Sequence, residues 1–197
     1  MTPPHHGRWA GGNVARFPVG LGSHLFVTFV PVELPGPTER LTFRAWREDD
    51  IPLAMTLWGD FAVSRLVGGP FDEPAVRQRL ATELANQRDH GIAYWPISRA
   101  GVDVGCCGLK PREPARKIYE LGFYLVPACW GGGIAVEAAR SVIALAFDRL
   151  GARELFAGHH PDNEGSRRVL EKLGFRYTHH EPYPPTGLDH PGYALVR

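Results

Sequence analysis

The sequence predicts a mixed α/β fold built around an open sheet, and three observations lead there. Several short segments alternate apolar with polar residues, three longer ones repeat apolar residues every three or four positions, and a strand, glycine turn, helix and strand follow one another at the centre. No internal repeat complicates the order. At 197 residues the chain suits one well-buried domain with peripheral sequence, and two full domains would be a tight fit.

Residues 1–38, ending in PVELPGPT, are rich in Gly and Pro and hold no sustained period, so they read as an extension or wrapping segment. Within them, residues 25–30 add at most one strand. The extension is a candidate for covering a sheet edge or for pairing subunits into a homodimer. The domain proper spans 39–197. RLTFRAWR at 40–47 alternates as a half-buried strand does, and Asp49 and Asp50 then put negative charge where a helix start favours it.

Helices are predicted over 50–58 and 73–88, the second with Val76, Leu80 and Leu84 as its apolar face and Gly91 as its cap. Three strands follow, 93–98, 102–109 and 118–126. The first two are close enough for a hairpin through RAG, and the last two are joined by KPREPARK. The longest helix covers 134–150, with Ala135, Ala139, Val142, Ile143, Ala146 and Leu150 on one side and Gly151 as terminator. After a short strand at 154–157, the last helix runs 163–173 and stops at Gly174, with Phe175 set to touch Leu170 as a Schellman stop prefers. Strands 176–180 and 193–196 close the order.

Composition excludes several classes of function. Lys and Arg number 22 against 21 Asp and Glu, so no general field draws the chain to nucleic acid or an acidic membrane, and any anion site must be local. Cys106, Cys107 and Cys129 are an odd set with two neighbours, which reads as reduced thiols in a cytoplasmic setting. The apolar stretch at 25–32 falls far short of the roughly 20 residues of a membrane helix, and it lacks a signal-peptide cleavage pattern.

The most informative segment is WGGGIAVEA, from Trp130 to Ala138, where three glycines precede the longest helix. Glycine lets backbone approach a ligand closely, and a helix start offers unpaired N–H groups and the positive end of its dipole. Together these suit a phosphate. The P-loop pattern is excluded because no Lys-Ser or Lys-Thr follows, and the dinucleotide pattern meets Val136 where it needs a small residue. A bare glycine turn is the competing reading.

With WGGGIA the chain resembles the GCN5-related N-acetyltransferase superfamily, whose cofactor signature is Arg or Gln, two residues, Gly, one residue, then Gly or Ala; Trp130 departs from it at the first position. Trp there, followed by Glu137-Ala138, is similar to the branch of ribosomal-protein N-terminal acetyltransferases. DNEGSRRVLEKLGF (162–175) and ERLTFRAWREDD (39–50) agree with that branch.

The resemblance covers about 39–197. It implies an acyl-CoA N-acyltransferase-like fold, a mixed and mostly antiparallel open sheet splayed in the middle and flanked by helices, with the cofactor arm entering between strands 118–126 and 154–157. It implies transfer of acetyl from acetyl-CoA, as cosubstrate and without metal, to a primary amine by direct attack on the thioester. The acceptor would be a small molecule or a protein N-terminus. A catalytically weak or inactive coenzyme A sensor is the alternative.

By position, the backbone of Leu125 and Val126 would bond the pantetheine arm, and a donor near Leu125 would steady the oxyanion. Trp130, Gly131, Gly132, Gly133, Ile134 and Ala135 would hold the pyrophosphate, with Asn163 and Ser166 touching the cofactor; Asn163 and Ser166 also suit a helix cap and first turn.

An amine must shed a proton to attack, and a lysine side chain is far more protonated at neutral pH than an α-amine. The candidate base is Glu120, which shares a strand face with Gly122 and Tyr124; its competing role is a solvated strand carboxylate. The family position of a helix Tyr that protonates the leaving thiolate is occupied by Leu170, so Tyr124, Tyr183 or solvent would serve instead. Segments 59–70 and 181–190 are the expected acceptor loops, and Glu181, Tyr183 and Asp189 suggest a cationic acceptor.

Two other readings carry less weight. His159-His160, His179-His180 and Cys106-Cys107 suggest metal, but adjacent residues in strands face opposite ways. His159 or His160 is also a candidate substrate contact, with an ordinary loop histidine as the competing reading. Trp46, Trp58, Trp95 and Trp130 are spaced as core and cleft-wall aromatics, not as a base-stacking platform.

Overall fold

The computed structural model describes residues 31–197, and the strand expected over 25–30 lies outside the described residues. Seven strands form one sheet: β1 (Thr42–Phe43), β2 (Tyr94–Arg99), β3 (Val102–Glu113), β4 (Ile118–Leu125), β5 (Glu154–Gly158), β6 (Arg176–Tyr183) and β7 (Leu188–Val196). Their spatial order is β1-β2-β3-β4-β5-β7-β6, with only β4 and β5 parallel. The helices are α1 (Ile51–Ala54), α2 (Phe61–Ser64), α3 (Glu73–His90), α4 (Ile134–Ala144) and α5 (Glu164–Lys172). The result is the mixed, mostly antiparallel open sheet with flanking helices that the sequence predicts.

Local chemistry explains the element ends. The Asp72 side chain caps α3 by accepting from the Ala75 N–H, and Gly91 closes it in the left-handed region. α4 continues through one wider turn, 145–149, before Gly151 stops it. α5 ends in a Schellman pair: Phe175 N–H donates to the Leu170 carbonyl and Gly174 N–H to that of Glu171.

The β2–β3 hairpin turns on Ala100 and Gly101, both at positive φ (50° and 79°), a backbone whose twist matches the flanking strands. Ala pays a steric cost there that Asn largely avoids. Ala100→Asn should therefore stabilise the fold by about 0.5–1 kcal/mol. A higher urea midpoint with unchanged slope would bear this out, and an unchanged or lower midpoint would count against it.

Four predicted details need correction. The 40–47 strand forms a ladder only at Thr42–Phe43, because its end turns away so that Trp46 can bury its ring and donate its indole N–H to the Tyr94 carbonyl. The first half of KPREPARK is strand: Lys110 pairs with Glu120 and Pro111 with Tyr119, and a bulge accommodates the missing N–H of Pro111 beyond the point where β2 ends, before a 3-10 turn at Pro114–Arg116. Segment 59–70 is largely helical, because Asp60 caps α2 by accepting from the Val63 N–H and a 3-10 turn, Arg65–Val67, follows. Segment 181–190 is not an open loop but the end of a β6–β7 hairpin, with Glu181 paired to His190 and Tyr183 to Leu188.

One apolar core joins the elements, including Trp46, Trp58, Trp95, Leu109, Ile134, Val142, Leu155 and Leu170. The predicted faces of α3 and α4 point into it, with Leu84, Ala135, Ile143 and Leu150 at its margin. Residues 33–40 lie along α4: Glu33 pairs with Arg149, Ser141 donates to the Gly36 carbonyl, and Thr38 donates to Glu137. Among the described residues, no helix is long and apolar enough to cross a membrane.

Candidate functional site

β4 and β5 are paired only from Ile118–Glu120 to Glu154–Phe156, and beyond that point they part. The ladder with β3 decides what β4 offers to the gap. The Val126 N–H donates to Val104, so the even-numbered residues Gly122, Tyr124 and Val126 turn their backbone groups to β3. Phe123 and Leu125 must turn theirs to the gap. Of the two strand residues proposed to grip a cofactor, Leu125 therefore faces it. Val126 has its N–H committed to β3, and its carbonyl accepts from the Cys129 N–H.

The glycine turn opens beside this gap. Gly131 and Gly133 have φ of 74° and 76°, and Gly133 stands at the N-cap of α4 with no side chain capping the helix. Ile134 and Ala135 form its first turn, where N–H groups lack helical acceptors. A Cβ on Gly131 or Gly132 would meet nothing within 4 Å. Backbone conformation thus requires glycine at 131 and 133, whereas nothing within the protein requires it at 132. A ligand resting on the turn would supply that reason.

Two side chains fix the turn. The Trp130 indole N–H donates to the Leu125 carbonyl at 2.8 Å, while its ring remains 52% exposed at the mouth. Arg40 donates to the Gly132 carbonyl at 3.1 Å and pairs with Glu137 at 2.5 Å. Partial burial works against the charge of Glu137, but hydrogen bonds from Thr38 and Arg40 outweigh it and hold the carboxyl below its ordinary range. Arg40, Arg140 and Lys172 line an open groove of about 690 Å³ along α4 together with Glu39 and Glu137, so that with Arg40 paired to Glu137 its charges nearly balance.

Glu120 is the last β4 residue still paired to β5, and its Oε1 accepts from the Tyr94 hydroxyl at 3.0 Å. Burial, and then the charge of Glu120, push the Tyr94 phenol well above its ordinary range, so it acts as a fixed donor. Gly122 leaves room for that ring: a Cβ there would come within 2.3 Å of it. Tyr124 continues the same face and meets Trp58 edge-on at 6.3 Å. Burial likewise pushes the Tyr124 hydroxyl up, which makes it a poor proton donor to a leaving group only in the sense of strength, since it stays protonated.

The remaining predicted residues divide clearly. Asn163 is the α5 cap, accepting from the Ser166 N–H at 3.0 Å, which leaves its amide N–H groups for another partner. Leu170 is buried core. Glu181 is held by Arg112 at 2.5 Å and Asp189 is exposed on β7, so the pair does not form the cation-binding wall that the sequence suggests.

His159 stacks on Tyr193, and His160 meets His190, which stacks on Tyr183. Burial holds His159 and His190 below their ordinary range. Cys106 and Cys107 are buried with their thiols pushed up, and among the described residues no three His, Cys, Asp or Glu side chains are grouped as a metal site needs. Sequence reasoning missed Tyr94 and Arg40. Nothing in spacing links Tyr94 to Glu120, and only the position of Arg40 within ERLTFR pointed towards the site.

Residues 40–176 match the family profile described as an acetyltransferase (GNAT) domain. The chain belongs to the GNAT family. Its relatives include the uncharacterized N-acetyltransferase YoaA of Bacillus subtilis, 27% identical over 71% of this chain and 81% of that protein. Among solved structures, an acetyltransferase from Agrobacterium tumefaciens superposes with a TM-score of 0.70 at 28% identity, covering 85% of this chain and 98% of that one. RimL, a ribosomal L7/L12 α-N-protein acetyltransferase solved with coenzyme A, has a TM-score of 0.69 at 19% identity over 85% of this chain and 97% of its own, a likeness of fold. In this GNAT chain the gap, the glycine turn and Glu120 adjoin one another on β4 and at the mouth of α4.

Proposed function

We propose that this GNAT protein transfers acetyl from acetyl-CoA to a primary amine by direct attack, with no covalent enzyme intermediate. The observation that carries this reading is Gly132, a glycine that neither backbone angle nor protein contact requires, at an uncapped helix mouth beside parted strands. The residues present fit the cofactor: an anion cradle at 131–135, a backbone donor at Leu125, and Arg140 and Lys172 on the adjoining groove, whose other charges include Arg40 and Glu137, paired with each other. When bound, acetyl-CoA supplies the activated thioester.

The chain's own groups then have distinct tasks. Leu125 N–H is aimed where a developing oxyanion would need a donor. Glu120 accepts the proton that the ammonium must lose; because Tyr94 occupies Oε1, Oε2 is the oxygen left for the amine. The leaving sulfur takes its proton from solvent, because burial pushes the Tyr124 hydroxyl too far up to give one to a thiolate. The domain of this activity is proposed as 39–197, in a cytoplasmic protein.

Release of free thiol from acetyl-CoA across peptides, amino acids, aminoglycosides and polyamines tests the proposal. Saturable thermal stabilisation by coenzyme A without turnover on any of them would instead establish a sensor. Gly132→Ala tests the cradle separately. Stability should stay within about 0.5 kcal/mol, while coenzyme A binding weakens by about tenfold or more through the methyl group in the ligand's place. Equal affinity in the variant would remove the glycine argument.

A further inference from the structure

In a flat sheet Arg112 and Glu181 would not meet. Arg112 lies near the end of β3 and Glu181 in β6, with β4, β5 and β7 between them. At the ordinary strand spacing those four steps cover about 19 Å, more than the two side chains can span. Yet Arg112 donates to both carboxylate oxygens of Glu181, at 3.3 and 2.5 Å. The far end of the β6–β7 hairpin must therefore curl over the sheet.

The face it curls over is that of Glu120. Glu120 pairs across the ladder with Phe156 of β5, and residues paired side by side point the same way, so Phe156 flanks the carboxylate. Arg112 lies on the Phe156 ring, 3.5 Å from its centre, and His179 of β6 stands beside the same ring and 3.5 Å from Glu181. The hairpin turn reaches the other flank. A Cβ on Gly68 would come within 2.7 Å of the Pro185 carbonyl oxygen, so the two backbones touch. Gly68 belongs to a loop closed by the Phe71 N–H donating to the Trp58 carbonyl, and the Trp58 ring meets Tyr124. The hairpin end is thus tied down on both sides of the Glu120–Tyr124 face. The ion pair keeps 28% and 33% of its side-chain surfaces in water, so that tie can open.

We propose that this hairpin end is a cover over the acceptor face, latched by Arg112 and Glu181, and that it restricts the acceptor to small amines and excludes peptide N-termini. The size limit rests on the transfer reading above; the latch does not. A small amine fits beneath a cover that closes after it, whereas a peptide must carry its chain out past the latch and hold it open.

Matched acceptors test this: an amino-acid amide against a short peptide amide with the same first residue, so that the attacking α-amine is alike. The full chain should favour the amino-acid amide by about tenfold or more in kcat/KM. Glu181→Gln keeps the shape and removes the charge. It should raise kcat/KM for peptides about three- to tenfold, as far as the pair holds the cover shut, and leave amino-acid amides within about twofold. The exchanged pair, Arg112→Glu with Glu181→Arg, should bring the peptides back towards the parent's rate. Amide hydrogen exchange across 181–190 gives a second reading, faster in Glu181→Gln and slowed again in the exchanged pair.

Peptides as good as amino-acid amides in the parent, or a Glu181→Gln variant whose ratio between the two is unmoved, would overturn the cover. If no amine is acetylated, the transfer reading falls and the size limit with it. The latch is then decided by hydrogen exchange alone: faster exchange in Glu181→Gln with recovery in the exchanged pair supports it, and unchanged exchange refutes it.

Discussion

Replacing Glu120 by Gln is expected to lower the rate of acetyl transfer by about 10²- to 10⁴-fold, with coenzyme A affinity and thermal stability close to those of the parent. The variant suits the question because Gln keeps the acceptor oxygen that Tyr94 needs and changes only the group's ability to take up a proton. The loss should be larger for acceptors with strongly basic amines, which must be deprotonated on the enzyme, than for α-amines already partly free at neutral pH. Steady-state rates for one acceptor of each kind, measured against pH, check both statements. A variant within threefold of the parent on both would return Glu120 to the role of an ordinary strand carboxylate.

Lys110→Met should cause the largest loss of stability, about 3 kcal/mol or more, because it leaves Glu83 buried with the Tyr94 N–H but without its cation. Glu83 is 1% exposed, so water cannot replace the lost partner without opening the core. For a domain of this size that corresponds to a fall in melting temperature of roughly 6–12 °C. Adding Glu83→Gln to Lys110→Met should recover much of the loss, since the stranded charge is then gone. Calorimetry on the two single variants and the double one decides it; no recovery in the double would mean that the Lys110 ammonium over the Tyr94 ring, 4.3 Å from its centre, and not its pairing with Glu83, holds this region.

The long elements were legible because their signals are local. α3 and α4 show their apolar periods, α5 carries its cap and its glycine stop, and the glycine turn before α4 stands out within nine residues. What escaped depends on partners far away in the chain. Pro111 argues against a strand until β4 supplies a register with a bulge, and Glu181 looks available until Arg112 is brought opposite. Charge balance in a cleft is a sum over several elements, and spacing along one of them cannot express it.

The alternation along β4 has a consequence for how such a protein can change. Beyond the stretch paired to β5, even-numbered residues knit β4 to β3 with their backbone and set their side chains on one face, whereas Phe123 and Leu125 set theirs on the other and turn their backbone to the gap. Side chains on the even face can therefore change while the backbone groups that face the gap, common to every residue, stay as they are. Insertion or deletion of a single residue within the strand would exchange the two sets at once, so β4 can bear a change of composition far more readily than a change of length.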